Sequence, residues 1–468
     1  MKSPLESLGL DQTLVNELNK KLIPLSGNYE KDADSCIKFW QSANQLLEKL
    51  PPKFKRTTEE HKAALFILEI SRARRDDFLH LHVQTVYKKI THNLQKFIRL
   101  EELLFAANEL VPGLTVSKEI ISKENDLLQS QKEGHEINQG IFLSHVLANQ
   151  ECGLHLCHTL LLPNPRTQEF KEQFERTGHL ELEGVNLQRR DKTCYLYFKN
   201  GKYLNAEDDF TLDNTEIAAD LAVLDPNSSI AVMRGDLVEE GKYTGSRVFC
   251  SGINLTRLYN GKIPYLWYIE RDMGIVNKIY RGVASPHYSP SEILGRTTEK
   301  LWIAAVDKFA IGGGCQYLLV TDINIAANDA YLTLPARKEG IIPGVANMRL
   351  PRFVGDRIAR QAIMMEKRID CDSPEGRMIC DYVVGPNEID ETIAKTIESI
   401  TASGVVSASG NRKSFRIDQE PLDNFRKYMA VYTREQAYCH YSEALINNLE
   451  RNWDARNRKI KDKEKSKT

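Results

Sequence analysis

Phe309-Ala-Ile-Gly-Gly-Gly-Cys-Gln316 is the stretch that decides how the 468-residue chain is read. An apolar run, Leu301 to Ala310, leads into three consecutive glycines, and a second apolar run, Tyr317 to Val320, leaves them. The pattern predicts a buried strand that breaks at Gly312–Gly314 and re-enters as a helix. Glycine permits the sharp turn and leaves no side chain between the backbone N–H groups and a ligand. The first N–H groups of the helix lack partners and carry its positive end. Such a turn suits a carbonyl oxygen that becomes an oxyanion.

A second stretch, Arg247-Val-Phe-Cys-Ser-Gly-Ile-Asn-Leu255, predicts a strand that ends in Ser251-Gly252 and then a helical segment. An N–H at Ile253 and another at Gly313 would then meet one oxygen. Two such donors form a minimal oxyanion hole. Around these stretches, strands such as Ser229–Met233 and Arg247–Cys250 alternate with helical segments, a rhythm that predicts an α/β core.

The two glycine turns lie within a longer ordered set: Lys202–Ala206, Ser228–Gly235, Phe249–Leu255, Ile311–Gln316, Thr321–Ala327 and Gly340–Gly344. Together these resemble the crotonase (enoyl-CoA hydratase/isomerase) superfamily over residues 193–393. The resemblance implies a ββα superhelix core in which the Ile253 and Gly313 N–H groups hold the thioester oxygen of an acyl-CoA. It also implies that Asn205 and Ala206 lie along the CoA. Gly252, Asn254, Gly312, Gly314, Pro335 and Ile342 would line the acyl-CoA site, with Tyr428, Arg434 and Gln436 reaching it from the C-terminal helices. Family habit adds a homotrimer or a dimer of trimers.

The departures are as informative. Hydratases of the family carry a glutamate where this chain has Gln316, and a second one where it has Ala336. An amide and a methyl group do no general acid–base work. The hole is retained while both hydratase carboxylates are absent. One branch fits this pattern and the long helical front half: cofactor-independent oxygenases of glycopeptide-antibiotic pathways. Asn205–Asp209, Pro264–Met273 and Gly313–Gln316 resemble it. The resemblance then assigns Arg271, Glu207 and Gln316 to binding the substrate ring or an oxygen intermediate. The expected reaction converts a (3,5-dihydroxyphenyl)acetyl thioester of CoA and O2 to an arylglyoxylate and free CoA. No metal and no cofactor are expected. The alternatives are another crotonase-type enzyme (thioesterase, isomerase or hydratase) or a non-catalytic acyl-CoA-binding scaffold.

The remainder bounds the reading. A formal net charge of −1 gives no electrostatic case for nucleic acid. Nine scattered cysteines without a framework predict reduced thiols and a cytoplasmic protein, and no stretch approaches a membrane span. Residues 1–190 are predicted helical, through Asp32–Leu50, Thr58–His92 and Asn93–Leu110, ahead of the core at 191–395. The Arg72–Arg75 cluster is expected on a solvated helix face. Cys152, His155, Cys157 and His158 are expected in a helix core rather than around zinc, since no second ligand pair stands at a standard spacing. Pro264–Gly282 is predicted as an amphipathic helix. Arg349, Arg352 and Arg357 are expected at the surface or in trimer contacts. A Ser-, Gly- and Ala-rich spacer (399–414) should lead to a last helix, Asp423–Arg451, within a C-terminal segment 396–456. A disordered lysine-rich tail is expected at 457–468.

Overall fold

The computed structural model describes residues 15, 16, 18, 24–402 and 404–458. The beginning of the chain and most of the lysine-rich tail lie outside these residues. The chain divides into two compact units. One holds the residues up to Leu156 with Asn260–Tyr265 and Met429–Ile446; the other holds Cys157–Tyr259, Leu266–Tyr428 and the C-terminal end.

The first unit is helical. Its longest element, Thr58–Ile90, starts where Thr57 accepts from Glu60 N–H while the Glu60 carboxylate accepts from Thr57 N–H. This reciprocal cap satisfies two donors that the helix end leaves free. Trp40 and Phe78 meet edge to face at its core. Arg72, Arg74 and Arg75 are not on a solvated face: all three are buried, with Arg72 donating to the Gly134 carbonyl and Arg75 to that of Gly113. The expected helix from Asn93 starts at Leu100, because His92, Asn93 and Leu94 take positive φ and break the chain. His155 bonds the Tyr87 hydroxyl and stacks on Phe97. Among the described residues no three His, Cys, Asp or Glu are grouped to hold a metal ion. Nor is any described helix long and apolar enough to cross a membrane.

The second unit contains the strands β1 (His179–Leu182), β2 (Gly184–Arg190), β3 (Thr193–Lys199), β4 (Ile230–Gly235), β5 (Val283–Ala284), β6 (Thr297–Thr298), β7 (Leu301–Val306), β8 (Phe309–Ile311), β9 (Ile323–Ala327), β10 (Tyr331–Thr333), β11 (Ile369–Asp370) and β12 (Tyr382–Val384). The main sheet runs β1-β2-β3-β4-β7-β9-β12. Its first three strands are antiparallel and the rest pair in parallel. A smaller, separate sheet has the order β11-β10-β8, and β5 pairs with β6. β4 is buried at every position, the composition expected of a parallel strand covered on both faces. The helix Thr211–Leu224 makes the crossover from β3 to β4.

Several expectations change here. β1 and β2 fall inside the stretch expected to be helical, so the sheet begins before Thr193. Arg247–Cys250 forms no strand of its own and contributes single bridges, Leu237 to Arg247 and Cys250 to Ala310. The 399–414 spacer is largely helical, within Ile389–Ala402 and Val406–Gln419. The last helix is two, Leu422–His440 and Glu443–Trp453. Arg349 is fully buried and Arg352 half-buried, because both bind Glu420.

The segment after Tyr265 departs most. It runs as α-helix (Leu266–Glu270), π-helix (Arg271–Val276) and α-helix (Asn277–Arg281). Apart from Glu270 and Tyr280, every residue of it is buried. It is therefore a core helix, and its charges are compensated: Lys278 by Glu216 and Asp220, Arg271 by Glu207 and Asp272.

Candidate active site

Two glycine turns meet at the end of β8. Gly252 takes φ +80°, and a β-carbon there would lie 2.9 Å from the Ile311 carbonyl oxygen and 3.3 Å from Gly313 N. Gly312 takes φ +53°, and at Gly314 a β-carbon would lie 2.5 Å from the Cys250 carbonyl oxygen. A side chain at Gly252 or Gly314 would push the turns apart, and one at Gly312 would strain the positive-φ backbone.

Glu207 pairs with Ile253 as a single parallel bridge: Glu207 N–H donates to the Gly252 carbonyl and Asn254 N–H to the Glu207 carbonyl, each at 2.8 Å. In a parallel pairing these bonds use the residues flanking Ile253, so its own N–H faces the other way. Gly313 opens the short helix Gly313–Leu318, where the first N–H groups have no helical partner. Neither the Ile253 nor the Gly313 N–H donates to an acceptor among the described residues.

Arg271, on the π-helical turn, is the hub. Its Nε–H donates to Glu207 Oε1 at 2.7 Å, Nη1 to Gln316 Oε1 at 2.6 Å and to Asp272 Oδ1 at 3.0 Å, and Nη2 to the Gly313 carbonyl at 2.8 Å. π-helical turns recur at functional sites because the extra residue re-aims side chains. Burial works against the Arg271 charge, but Glu207, Tyr317 and Asp272 outweigh it and hold the guanidinium well above its ordinary pKa. It stays charged.

Arginine offers only donors, so Gln316 must turn its carbonyl oxygen toward it. The Gln316 NH2 is thereby aimed away and donates to no described residue. Glu207 is divided in the same way. Its Oε1 accepts from Arg271 and from the Tyr317 hydroxyl at 2.7 Å, while Oε2 is buried with no partner. A β-carbon at Gly313 would overlap Oε2. The arrangement presents one unused acceptor and one unused donor beside two unused backbone N–H groups.

Of the residues expected here, Glu207, Ile253, Arg271, Gly313 and Gln316 are brought together. Tyr428 joins them at second hand: its hydroxyl donates to the Gly344 carbonyl, and a β-carbon on Gly344 would lie 2.6 Å from both Asp272 Oδ2 and Gln316 Oε1. The Asn205 amide nitrogen donates to the Val248 and Asp236 carbonyls while its Oδ1 is buried without a partner, and the Asn254 side chain is used on Asp208 and in capping at Arg257 N–H. Ala206 is buried, and its carbonyl accepts from Asn200. Pro335 precedes the helix Ala336–Glu339, and the Ile342 carbonyl accepts from Gly344 N–H. Arg434 and Gln436 belong to the helical unit, where Arg434 pairs with Asp76 and Gln436 is fully buried. Asp272 and Tyr317 are site residues that the sequence patterns do not single out: Tyr317 falls within an apolar run, and the signal for it is a tyrosine directly after Gly312–Gln316.

The enoyl-CoA hydratase/isomerase model matches residues 194–429, which span both glycine turns and Arg271. The chain is also 40% identical over 419 residues to the (3,5-dihydroxyphenyl)acetyl-CoA 1,2-dioxygenase of Amycolatopsis orientalis, covering 89% of this chain and 95% of that one. The chain belongs to the enoyl-CoA hydratase/isomerase family. Crotonyl-CoA hydratase of Syntrophomonas wolfei is 28% identical over 228 residues, 48% of this chain and 78% of that protein. Among solved structures, an enoyl-CoA hydratase/isomerase from Xanthobacter autotrophicus Py2 aligns with TM-score 0.48 and 18% identity, covering 59% of this chain and 96% of that one. The similarity to the hydratase spans about half of this family member, whereas the similarity to the dioxygenase extends well beyond the core into the helical front half.

The glycines of this family member give a direct test. In Gly313→Ala the new methyl group displaces the Glu207 carboxylate, which Arg271 and Tyr317 hold from behind. A fall in kcat/KM of about a hundredfold is expected, the usual effect of an ångström-scale misplacement. Steady-state kinetics beside circular dichroism check it; near-native kcat/KM in a folded variant would contradict this site.

Proposed function

We propose that this chain is a dioxygenase that converts (3,5-dihydroxyphenyl)acetyl-CoA and O2 to (3,5-dihydroxyphenyl)glyoxylate and free CoA, with no metal or cofactor. The observation that carries the reading is the pair of unused N–H groups, Ile253 and Gly313, beside the Arg271–Glu207–Gln316 network. With Gln316 and Ala336 at the hydratase acid positions, the pocket stabilises an enolate without the pair of acids that would add water across a double bond.

The thioester carbonyl and the aryl ring both acidify the substrate α-carbon. Two N–H donors at the thioester oxygen favour the enolate. The electron-rich enolate passes an electron to O2, and the two recombine as a peroxide at the α-carbon. The distal oxygen attacks the thioester carbon and CoA leaves as the thiolate. The O–O bond then breaks to give the ketone and the carboxylate. Both oxygen atoms of O2 enter the product, and the two α-hydrogens leave as protons. Glu207 Oε2 as acceptor and Gln316 NH2 as donor complement ring hydroxyls, which do both. The identity to the Amycolatopsis dioxygenase supports the same substrate class.

Oxygen uptake by chelator-treated protein given the dihydroxyphenyl thioester, with free thiol followed in parallel, tests this. Equal uptake of O2 and release of CoA are expected. Thiol release without oxygen uptake would make the chain a thioesterase.

A further inference from the structure

We propose that Tyr317 is a positioning residue that sets which oxygen of Glu207 meets the substrate, and so confers selectivity for a hydroxylated ring. This rests on the proposed reading that Glu207 binds a ring hydroxyl. Tyr317 is fully buried one residue beyond Gln316. Its ring packs against Phe198, with centroids 5.2 Å apart, and lies under the Arg271 guanidinium at 4.8 Å. These contacts leave its hydroxyl one direction, toward Glu207 Oε1 at 2.7 Å.

Glu207 Oε1 thus carries two bonds, from Arg271 Nε and from Tyr317, and Oε2 carries none. A buried carboxylate oxygen without a partner is costly, so it marks a place where a ligand supplies the missing donor. Arg271 alone does not decide the orientation, since a guanidinium can pair with both carboxylate oxygens side by side. The Tyr317 hydroxyl approaches the same oxygen from a second direction and fixes the split. Burial first, and then the neighbouring Glu207 charge, keep the Tyr317 hydroxyl well above its ordinary pKa, so it remains a donor.

Tyr317→Phe removes this bond and keeps the ring. The test uses unreactive CoA thioethers bearing a 3,5-dihydroxyphenyl or a plain phenyl group. Dissociation constants are measured by calorimetry for the wild type, Tyr317→Phe, Glu207→Gln and the double variant. The wild type should favour the dihydroxy ligand, and Tyr317→Phe should shrink that preference by roughly tenfold, the scale of one hydrogen bond to a charged group. In the Glu207→Gln background, Tyr317→Phe should change it little, because contacting residues are non-additive. A preference unchanged in Tyr317→Phe, or reduced by the same factor in both backgrounds, would overturn the proposal, as would a wild type that does not discriminate. The expected pattern across all four proteins, found in a wild type that takes up no oxygen, would sustain the positioning role while the dioxygenase reading failed.

Discussion

Arg271→Met is expected to abolish activity and to destabilise the second unit by about 3–5 kcal/mol, the usual cost of removing one partner of a buried ion pair. Arg271 is 2% exposed and its partners Glu207 and Asp272 are 7% and 2% exposed, so methionine leaves two buried carboxylates without the guanidinium that bonds to both. The loss should exceed that of any single hydrogen bond in the pocket, because the same side chain also orients Gln316 and ties down the Gly313 carbonyl. Arg271→Lys separates charge from geometry. An ammonium restores the charge but not the planar fork that reaches Glu207, Gln316 and Gly313 together. Stability should recover in large part while kcat/KM stays low. Urea unfolding and steady-state kinetics on both variants check this. A methionine variant as stable as the wild type would remove Arg271 from the centre of the pocket's electrostatics.

The second large effect is expected at Glu420, away from the catalytic network. This fully buried carboxylate binds Arg349 through both oxygens at 2.8 and 2.9 Å, Arg352 at 2.6 Å and Arg281 at 3.1 Å. Burial pushes its pKa up, but Arg349, then Arg281 and Arg352, outweigh burial and hold it at about 2 instead of 4.5. The folded protein therefore binds this proton less readily than the unfolded chain does. The stability it contributes is complete above about pH 4.5 and drains away as the pH falls toward about 2. That contribution is about 3 kcal/mol at one pKa unit per 1.4 kcal/mol. Glu420→Gln should lower stability near pH 7 by several kcal/mol, since three arginines lose their common counter-charge. The variant should also lose this part of the acid sensitivity. Urea midpoints at about pH 7 and pH 3 measure both effects; parallel curves for wild type and variant would contradict the assignment.

The resemblance places Arg271 in the site, but neither effect on stability is visible in the sequence, for the same physical reason. By sequence, Arg349 and Arg352 are expected at the surface or in trimer contacts, since lone arginines on a helix are usually exposed. Glu420, some seventy residues on, turns them into one buried cluster. Arg271 likewise sat in a segment expected to be amphipathic. Its charges are buried only because Glu207 and Asp272 oppose Arg271, and Glu216 and Asp220 oppose Lys278. Side-chain pairing across the chain is not written in local periodicity.

The sequence by itself determined what depends on neighbouring residues. Gly312–Gly314 and Ser251-Gly252 announced two turns with free N–H groups, because only glycine tolerates such a backbone next to close neighbours. The amide at 316 and the methyl at 336 announced a crotonase-type site without hydratase acids. The tertiary structure alone decided how the polar atoms are divided: which oxygen of Glu207 is used up, which end of Gln316 faces outward, and that Tyr317 belongs to the site rather than to an apolar run. Those outcomes depend on three-dimensional angles among Glu207, Arg271 and residues 313–317, which stand far apart along the chain and meet only when β8 carries the glycine turn against the Gly252 loop.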